Sequence, residues 1–407
     1  MNELFGFLTE HAIVSSIAAA VPALLAYLAS RRRTRKTPRS PEPSYFVEAQ
    51  LLQPPVSRPA YSDRMAYVLA EMSALAYYQF EGRGGLLDAE AEKLISSKLD
   101  DKADIVKFLN DFSELIFSGQ TLSLEFFEKV LKNSSFKLLA TIDVAETQGF
   151  VCLRDVPNEP RYLIVAFRGT EKKLSDWLTD ARATPFPIGK KKVHTGFHEA
   201  FNVNVDADGK TVKDIVQAIL EEPDAKDTDG NPLPVFFTGH SLGGALALVA
   251  ACTFRAESDA ACYTYGAPRI GNYEYFQGLK TPVYRVVNSS DIVPRVPPGA
   301  LMKLIVLLMQ ALAWATSFMP PVSKFFYQAE AWLDRLKGYR HHGDLRYLTD
   351  VETGRFENVE LLPNPPLMDR AWWMIQHIAA SFLAPVSHHQ MRIYREKLRV
   401  IATRRNC

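Results

Sequence analysis

Cysteine is scarce in this chain and neither sign of charge dominates it: there are four cysteines among 407 residues, and 47 lysines and arginines face 46 aspartates and glutamates, for a formal net charge of +1. Cys152, Cys252, Cys262 and Cys407 lack metal-type spacing and are too few for a disulfide framework, so they read as reduced thiols, mostly in the core. The balanced charge gives no bulk electrostatic reason to expect nucleic acid as a partner. No segment recurs at a fixed period, which excludes repeat architectures. No histidine and carboxylate cluster has metal-ligand spacing, so no metal and no other cofactor is implied. What the chain does have is apolar material, 47% of its residues against 23% charged. That suffices for one large domain or two ordinary ones and does not describe a disordered chain.

The longest uncharged run near the start covers residues 12–30. Spanning the hydrocarbon layer takes about 20 apolar residues, so this run is near the minimum, and Pro22 is better tolerated in lipid than in a soluble helix. Glu3 and Glu10 precede it, while Arg31, Arg32, Arg33, Arg35 and Lys36 follow it, the reverse of a secretory signal. The pattern predicts an uncleaved anchor over 1–36. By the positive-inside rule it leaves the rest of the chain on the cytoplasmic side, with the membrane as a partner. A hydrophobic helix packed on the protein or lying on the membrane surface is the competing reading. Residues 37–60 are proline-rich and read as a linker, with a single globular domain over 61–407.

Within that domain "SDRMAYVLAEMSALAYY", "DAEAEKLISSKL" and "SLEFFEKVLKN" have helical spacing of apolar residues. "FKLLATID", "GFVCLRD" and "RYLIVAFRG" are rich in β-branched and aromatic residues between turn signals and read as strands. A helical "VKDIVQAILEE" then leads to the strand "PVFFTG", the helix "LGGALALVAACTF" and the strands "ACYTYG" and "PVYRVVN". This alternation predicts an α/β fold with a mainly parallel central sheet flanked by helices.

The junction "TGHSLGG" carries the chemistry. G-x-S-x-G alone occurs by chance in about one chain of this length in seven, so its setting must decide. Here it follows an apolar strand and opens an alanine-rich helix, the setting of a nucleophile elbow. Such a turn demands small neighbours on both sides, a demand that Gly239 and Gly243 meet around His240 and Ser241. A serine hydroxyl needs a base and an oxyanion site before it can attack a carbonyl. The helix that opens after Ser241 offers the backbone N–H of Leu242. A second donor is expected where the strand ending at Phe167 turns away through "RGT", at the N–H and hydroxyl of Thr170.

Taken together with "SDWLTD", "VHTGFHEAF", "TYGAPRIGN", "RVVNSSDIVPRVPP", "GYRHHGDLRYL" and "SHHQMRIYREKL", these stretches resemble the class 3 lipases, the fungal-lipase-like branch of the α/β-hydrolases. They stand in the family's order from about residue 61 to 397. The resemblance implies an α/β-hydrolase fold with a catalytic acid in the D-I-V-P stretch, here Asp291, and a base that often sits in D-H-S-M-x-x-Y. "HHQMRIY" puts His389, Met391 and Tyr394 in that register. The chain has His388 where the family often has aspartate, and Gln390 where it often has serine, so His388 stays in contention. His11, His194, His198, His240, His341 and His377 are set aside, which leaves His342 beside His388 and His389, with His389 chosen on the family register.

Between "VPRVPP" and "GYRHHG" the chain inserts about 299–337, whose stretch 300–319 has a single charge, Lys303. It emerges near Asp291, on the rim where loops follow strand ends. A cap helix, an interfacial element and inert packing are its three readings. "EKKLSDWLTDARATPFP", with Trp177, corresponds to the family's usual lid. The resemblance implies a serine hydrolase that cleaves acylglycerol esters through an acyl-enzyme, and the expected anchor makes it membrane-associated. The alternatives are a phospholipase A1-type or short-chain esterase activity, and a catalytically silent lipid-binding scaffold.

Overall fold

The computed structural model describes residues 60–77, 124–169, 185–254, 261–297, 301–320, 322–324, 327–328, 330, 337–349, 356–380 and 388–406. The chain enters with helix α1 (Asp63–Leu75), whose first turn is held by Ser62: its hydroxyl accepts the Met65 amide at 3.2 Å. Helix α2 (Leu124–Asn133) leads into an antiparallel meander of β1 (Phe136–Val144), β2 (Thr147–Arg154) and β3 (Tyr162–Phe167).

A hairpin of β4 (Pro185–Ile188) and β5 (Lys191–His194) follows, turning through Gly189 at φ +64°. Beyond it lie α3 (Thr195–Asn202), α4 (Val212–Glu221), β6 (Val235–His240), α5 (Leu242–Phe254), β7 (Cys262–Tyr265) and β8 (Val283–Asn288). The last described elements are α6 (Leu301–Ala315), β9 (Asp344–Leu348), β10 (Leu361–Pro363), α7 (Leu367–Ala380) and α8 (Met391–Asn406).

Among the described residues, eight strands form one sheet in the order β1-β2-β3-β6-β7-β8-β9-β10. The five central strands, β3 to β9 in that order, pair in parallel, and antiparallel pairs flank them at both ends. This is the mainly parallel sheet that the alternation of strands and helices predicts. Every residue of β3 and β6 is buried, as expected of strands covered on both faces. Their side chains divide with period two. Ile164, Ala166 and Phe236 point into a core shared with α1, α2 and α8; Leu163, Val165, Phe167, Val235 and Phe237 point into a second core with α3, α4 and α5. Helix α5 is apolar all round and buried from Gly243 to Cys252, so packing rather than amphipathicity holds it. Cys152, Cys252 and Cys262 are buried free thiols.

Two sequence expectations change. Pro185–Ile188, at the end of the expected lid stretch, is a strand; its pairing with β5 depends on a partner that local pattern does not reveal. The expected membrane span requires correction as well. Among the described residues no helix is long and apolar enough to cross a membrane. The most apolar late helix, α6, has 15 residues, about 22 Å of helix against a hydrocarbon layer of about 30 Å. Residues 1–36 and 37–59, where the anchor and linker are expected, lie outside the described residues, as do Trp177 and Cys407.

Candidate active site

Four strand or helix ends build the site. Strand β6 stops at His240, and α5 starts at Leu242, which leaves Ser241 alone in the turn at φ +58°. A left-handed backbone is costly for a residue with a Cβ, and the surroundings hold it there. The Ser241 amide donates to the Tyr265 carbonyl at 2.9 Å, and the Ser241 carbonyl accepts the Gly244 amide at 3.1 Å. The flanking positions have no room for side chains. A Cβ on Gly239 would lie 2.3 Å from the Gly243 carbonyl group, and one on Gly243 would lie 2.3 Å from the Phe167 oxygen. Gly169 presses equally closely, with a hypothetical Cβ 2.4 Å from the His240 oxygen.

At the end of β8, Asp291 follows a short turn and is fully buried. Its carboxylate accepts the Val293 amide at 2.9 Å and the Tyr394 hydroxyl at 2.6 Å. The His389 ring, two residues before α8, spans the gap between Asp291 and Ser241. Its Nδ1 lies 3.0 and 2.9 Å from the two oxygens of Asp291, and its Nε2 lies 2.9 Å from Ser241 Oγ. A carboxylate can only accept, so the ring proton sits on Nδ1 and the Nε2 lone pair faces the serine hydroxyl. Gly266, at φ +60°, floors this pair: a Cβ there would lie 2.7 Å from Asp291 Oδ2 and 3.0 Å from His389 Nδ1.

The neighbouring His388 faces elsewhere. Its Nδ1 accepts from Ser290, whose hydroxyl lies at 2.8 Å and whose amide lies at 3.3 Å, and its carbonyl accepts from the Asn288 side chain at 2.7 Å. His342 stacks on Phe276 with ring centroids 5.0 Å apart. His341 donates from Nε2 to the Pro294 carbonyl at 2.6 Å. Leu242 provides the first amide of α5, one of the N-terminal N–H groups without an intrahelical acceptor. Thr170 and the rest of the expected lid up to 184 lie outside the described residues. Among the described residues, no group of three or more His, Cys, Asp or Glu side chains is arranged to hold a metal ion.

Three contributors escape a reading of the sequence alone. Tyr394 accepts the Asn288 amide at 2.9 Å while donating to Asp291, and burial together with the adjacent carboxylate pushes its phenol well above the usual range. It therefore stays a donor. His240, which the motif treats as a variable position, is fully buried and stacks on His389 with centroids 4.5 Å apart. Its Nε2 lies 2.7 Å from the His389 carbonyl and its Nδ1 2.6 Å from the Tyr77 hydroxyl. Since the carbonyl must accept, Nε2 carries the proton and Nδ1 receives the Tyr77 hydroxyl. Burial, then the neighbouring His389, drives the His240 pKa well below its ordinary value, in keeping with this neutral form. Tyr77 is thus the third contributor, and only the proximity of α1 to β6 reveals it.

A nucleophile-elbow turn at the carboxyl end of a central parallel strand, with a carboxylate and an imidazole arriving from later strand and helix ends, is the arrangement of the α/β-hydrolase fold. Residues 164–300 match the family model described as Lipase (class 3), so this segment of the chain is similar to that family. A lipase from Rhizomucor miehei is 33% identical over 161 residues, covering 35% of this chain and 39% of that protein. A secreted mono- and diacylglycerol lipase from Fusarium solani is 33% identical over 154 residues, covering 35% and 41%. The chloroplastic phospholipase A1-Igamma2 of Arabidopsis thaliana is 29% identical over 195 residues, covering 39% and 35%. The chain thus spans well under half the length of these relatives. The Fusarium protein is named as secreted. With no membrane-crossing helix among the described residues, the expected anchored localisation on the cytoplasmic side is withdrawn.

Proposed function

We propose that this protein is a serine hydrolase that cleaves carboxylic esters of acylglycerols. The observation that carries the reading is the single imidazole, His389, held at 2.9 Å from Ser241 Oγ on one side and 2.9 Å from Asp291 on the other. In this reading Ser241 Oγ attacks the ester carbonyl as its proton passes to His389 Nε2, and Asp291 stabilises the imidazolium. The amide of Leu242, with Thr170 as the expected second donor, receives the oxyanion. Collapse expels the alcohol, which takes the proton from His389, and leaves an acyl group on Ser241. Water activated by the same imidazole then releases the fatty acid.

A lipid substrate is supported by the exposed apolar residues of the insertion that follows the Asp291 segment. Helix α6 buries Val306 and Ala313 on one stripe and exposes Leu307 and Trp314, the latter 78% exposed; Phe318 just beyond is equally open, and Met368 and Trp372 of α7 are exposed as well. Ser241 itself is fully buried, so an ester reaches Oγ only after a covering element moves. We assign that cover to α6, with its exposed residues meeting the surface of the lipid that supplies the substrate. A phospholipase A1-type activity is the second reading, favoured by the likeness to the Arabidopsis protein named for that activity. A purified-protein series that varies head group and acyl length separates it, and short-chain ester hydrolysis, from acylglycerol hydrolysis.

The deciding experiment is labelling with a fluorophosphonate probe. Wild type is expected to react at Ser241, Ser241→Ala not at all, His389→Asn at least about a thousandfold more slowly, and His388→Asn at close to the wild-type rate. A folded wild type that does not label would remove the enzymatic reading and leave a silent lipid-binding scaffold. Fast labelling of His389→Asn with slow labelling of His388→Asn would transfer the base to His388.

A further inference from the structure

Behind the segment that carries Asp291 lies a cavity of about 450 Å³ that the proposed hydrolysis does not use. Six cations line it: Arg269, Arg285, Arg295, Lys337, Arg340 and Arg370. No aspartate or glutamate is among its described lining residues. Residues so far apart in sequence meet because β8 delivers Arg285, the cis Val296-Pro297 turn lies against Arg269, and α7 brings Arg370. Among the described residues, two carboxylates act on the cluster from outside its lining. Asp344 acts on Arg285, and Asp291 acts on Arg295. Asp344 also pairs with Arg346, at 3.6 Å, and Asp291 is engaged by His389.

The guanidiniums are only partly satisfied by protein acceptors. Among the described residues Arg285 reaches one carbonyl, Gly343, at 3.4 Å from both Nε and Nη2. The Nε of Arg370 is buried with no hydrogen-bond partner among the described residues. Arg269 and Arg295 are better held and act as the rigid wall. Arg269 donates to the Arg295 carbonyl at 2.6 Å, and Arg295 donates to the carbonyls of Asp291 and Ser289 at 3.2 and 3.3 Å. Burial, followed by repulsion from neighbouring arginines, lowers Arg285 to about 9 and Arg269 to about 10. Crowding like charges in a partly desolvated cavity is unfavourable unless an anion shares it.

We propose that this cavity binds a phosphate-type oxyanion, carried either as a free ion or as the head group of a phospholipid, at a site separate from Ser241. Forked guanidiniums match the oxygens of such an anion, and charge-assisted hydrogen bonds to it are the strong kind. Because Arg269 and Arg295 also hold the carbonyls of 289–297, an occupied site braces the segment that bears Asp291. The hydroxyl of Ser241 plays no part, so the site survives loss of hydrolysis.

The test uses the full chain carrying Ser241→Ala, which prevents turnover, with inorganic phosphate titrated calorimetrically against chloride at matched ionic strength. Saturable binding near one equivalent is expected, weakened about tenfold or more by Arg285→Gln. Arg370→Gln is the second variant, since its helical position is only half-buried and its loss leaves the β8 core intact; it is expected to weaken binding as well. Flotation with phosphatidylcholine vesicles, with and without phosphatidic acid, then identifies the source. Capture by phosphatidic acid that phosphate competes away assigns a lipid head group, and phosphate binding without capture assigns the free ion. No saturable phosphate binding, or binding unchanged in a folded Arg285→Gln or Arg370→Gln protein, overturns the site. Fluorophosphonate labelling of wild type is independent of all these outcomes, so failure here leaves the hydrolase reading standing.

Discussion

The carboxylate of Asp291 takes hydrogen bonds from three directions: the Val293 amide, the Tyr394 hydroxyl and the His389 ring. A buried acceptor so surrounded is fixed in orientation, and each donor lost leaves charge unmatched in a low dielectric. Tyr394→Phe removes one donor and also strips the Asn288 amide of the hydroxyl it donates to. The expected outcome is a loss of about 2–3 kcal/mol in urea unfolding, from one hydrogen bond to a charged group and one orphaned amide. A fall in kcat of about tenfold with KM little changed should accompany it, because Tyr394 touches the acid and not the substrate. Unaltered unfolding and unaltered kcat together would show that the carboxylate needs no such support. At this scale the sequence makes Ser241 a candidate through its glycine neighbours, whereas Tyr394 enters it only as a register mark and Tyr77 not at all. Their contacts join positions 103 and 163 apart in the chain, a separation no local pattern encodes.

Among the elements, the turn between β6 and α5 and the helix α6 differ in how they are specified. The turn is legible because sterics restrict it to small residues at Gly239 and Gly243, and that restriction appears directly as sequence. Helix α6 is legible as a helix from its run of good helix formers, yet which stripe it buries depends on what it packs against. Its exposed residues provide the prediction proper to this scale. Trp314→Ser combined with Phe318→Ser is expected to lower hydrolysis of an emulsified long-chain acylglycerol about tenfold, by removing two large apolar contacts with the lipid surface. Hydrolysis of a dissolved short-chain ester should fall far less. Equal loss on both substrates would make α6 a packing element and end its assignment as the lipid-contacting cover. Strands β4, β5, β9 and β10 are hidden from the sequence, since each is five residues or fewer and gains its identity from a partner strand.

Across the whole molecule, two cores on opposite faces of one sheet lock the strand ends that carry the site. Helices α1 and α8 pack together and are tied by Arg395 to Glu71 at 2.6 Å, so the segment bearing His389 is anchored to the start of the domain. Stability at this scale has a pH signature. His240 is buried in its neutral form with its pKa pushed well down. An unfolded histidine, of pKa about 6.5, binds a proton that the folded one refuses. The sign follows: the contribution is harmless above about pH 6.5, and stability is lost as pH falls below it, at no more than about 1.4 kcal/mol per pH unit from this group. Urea unfolding from pH 8 to 5 should show a level region followed by a steepening loss, while the His240 imidazole signals stay flat in NMR down to pH 5.5. A His240 midpoint between 6 and 7 would contradict the neutral, Tyr77-bonded ring.

The sequence by itself determined the alternation of strands and helices, the mainly parallel sheet and the small-residue turn around Ser241, because each depends on local sterics and hydrophobic period. It also narrowed the candidate bases to His342, His388 and His389, with the family register favouring His389. Tertiary structure alone decided that His389 turns to Ser241 and Asp291 while His388 turns to Ser290, that His240 is bridged to Tyr77, and that six distant cations share one cavity. Those facts depend on which chain segments pack side by side, and directional hydrogen bonds and mutual repulsion act only once packing has brought the groups within a few ångströms.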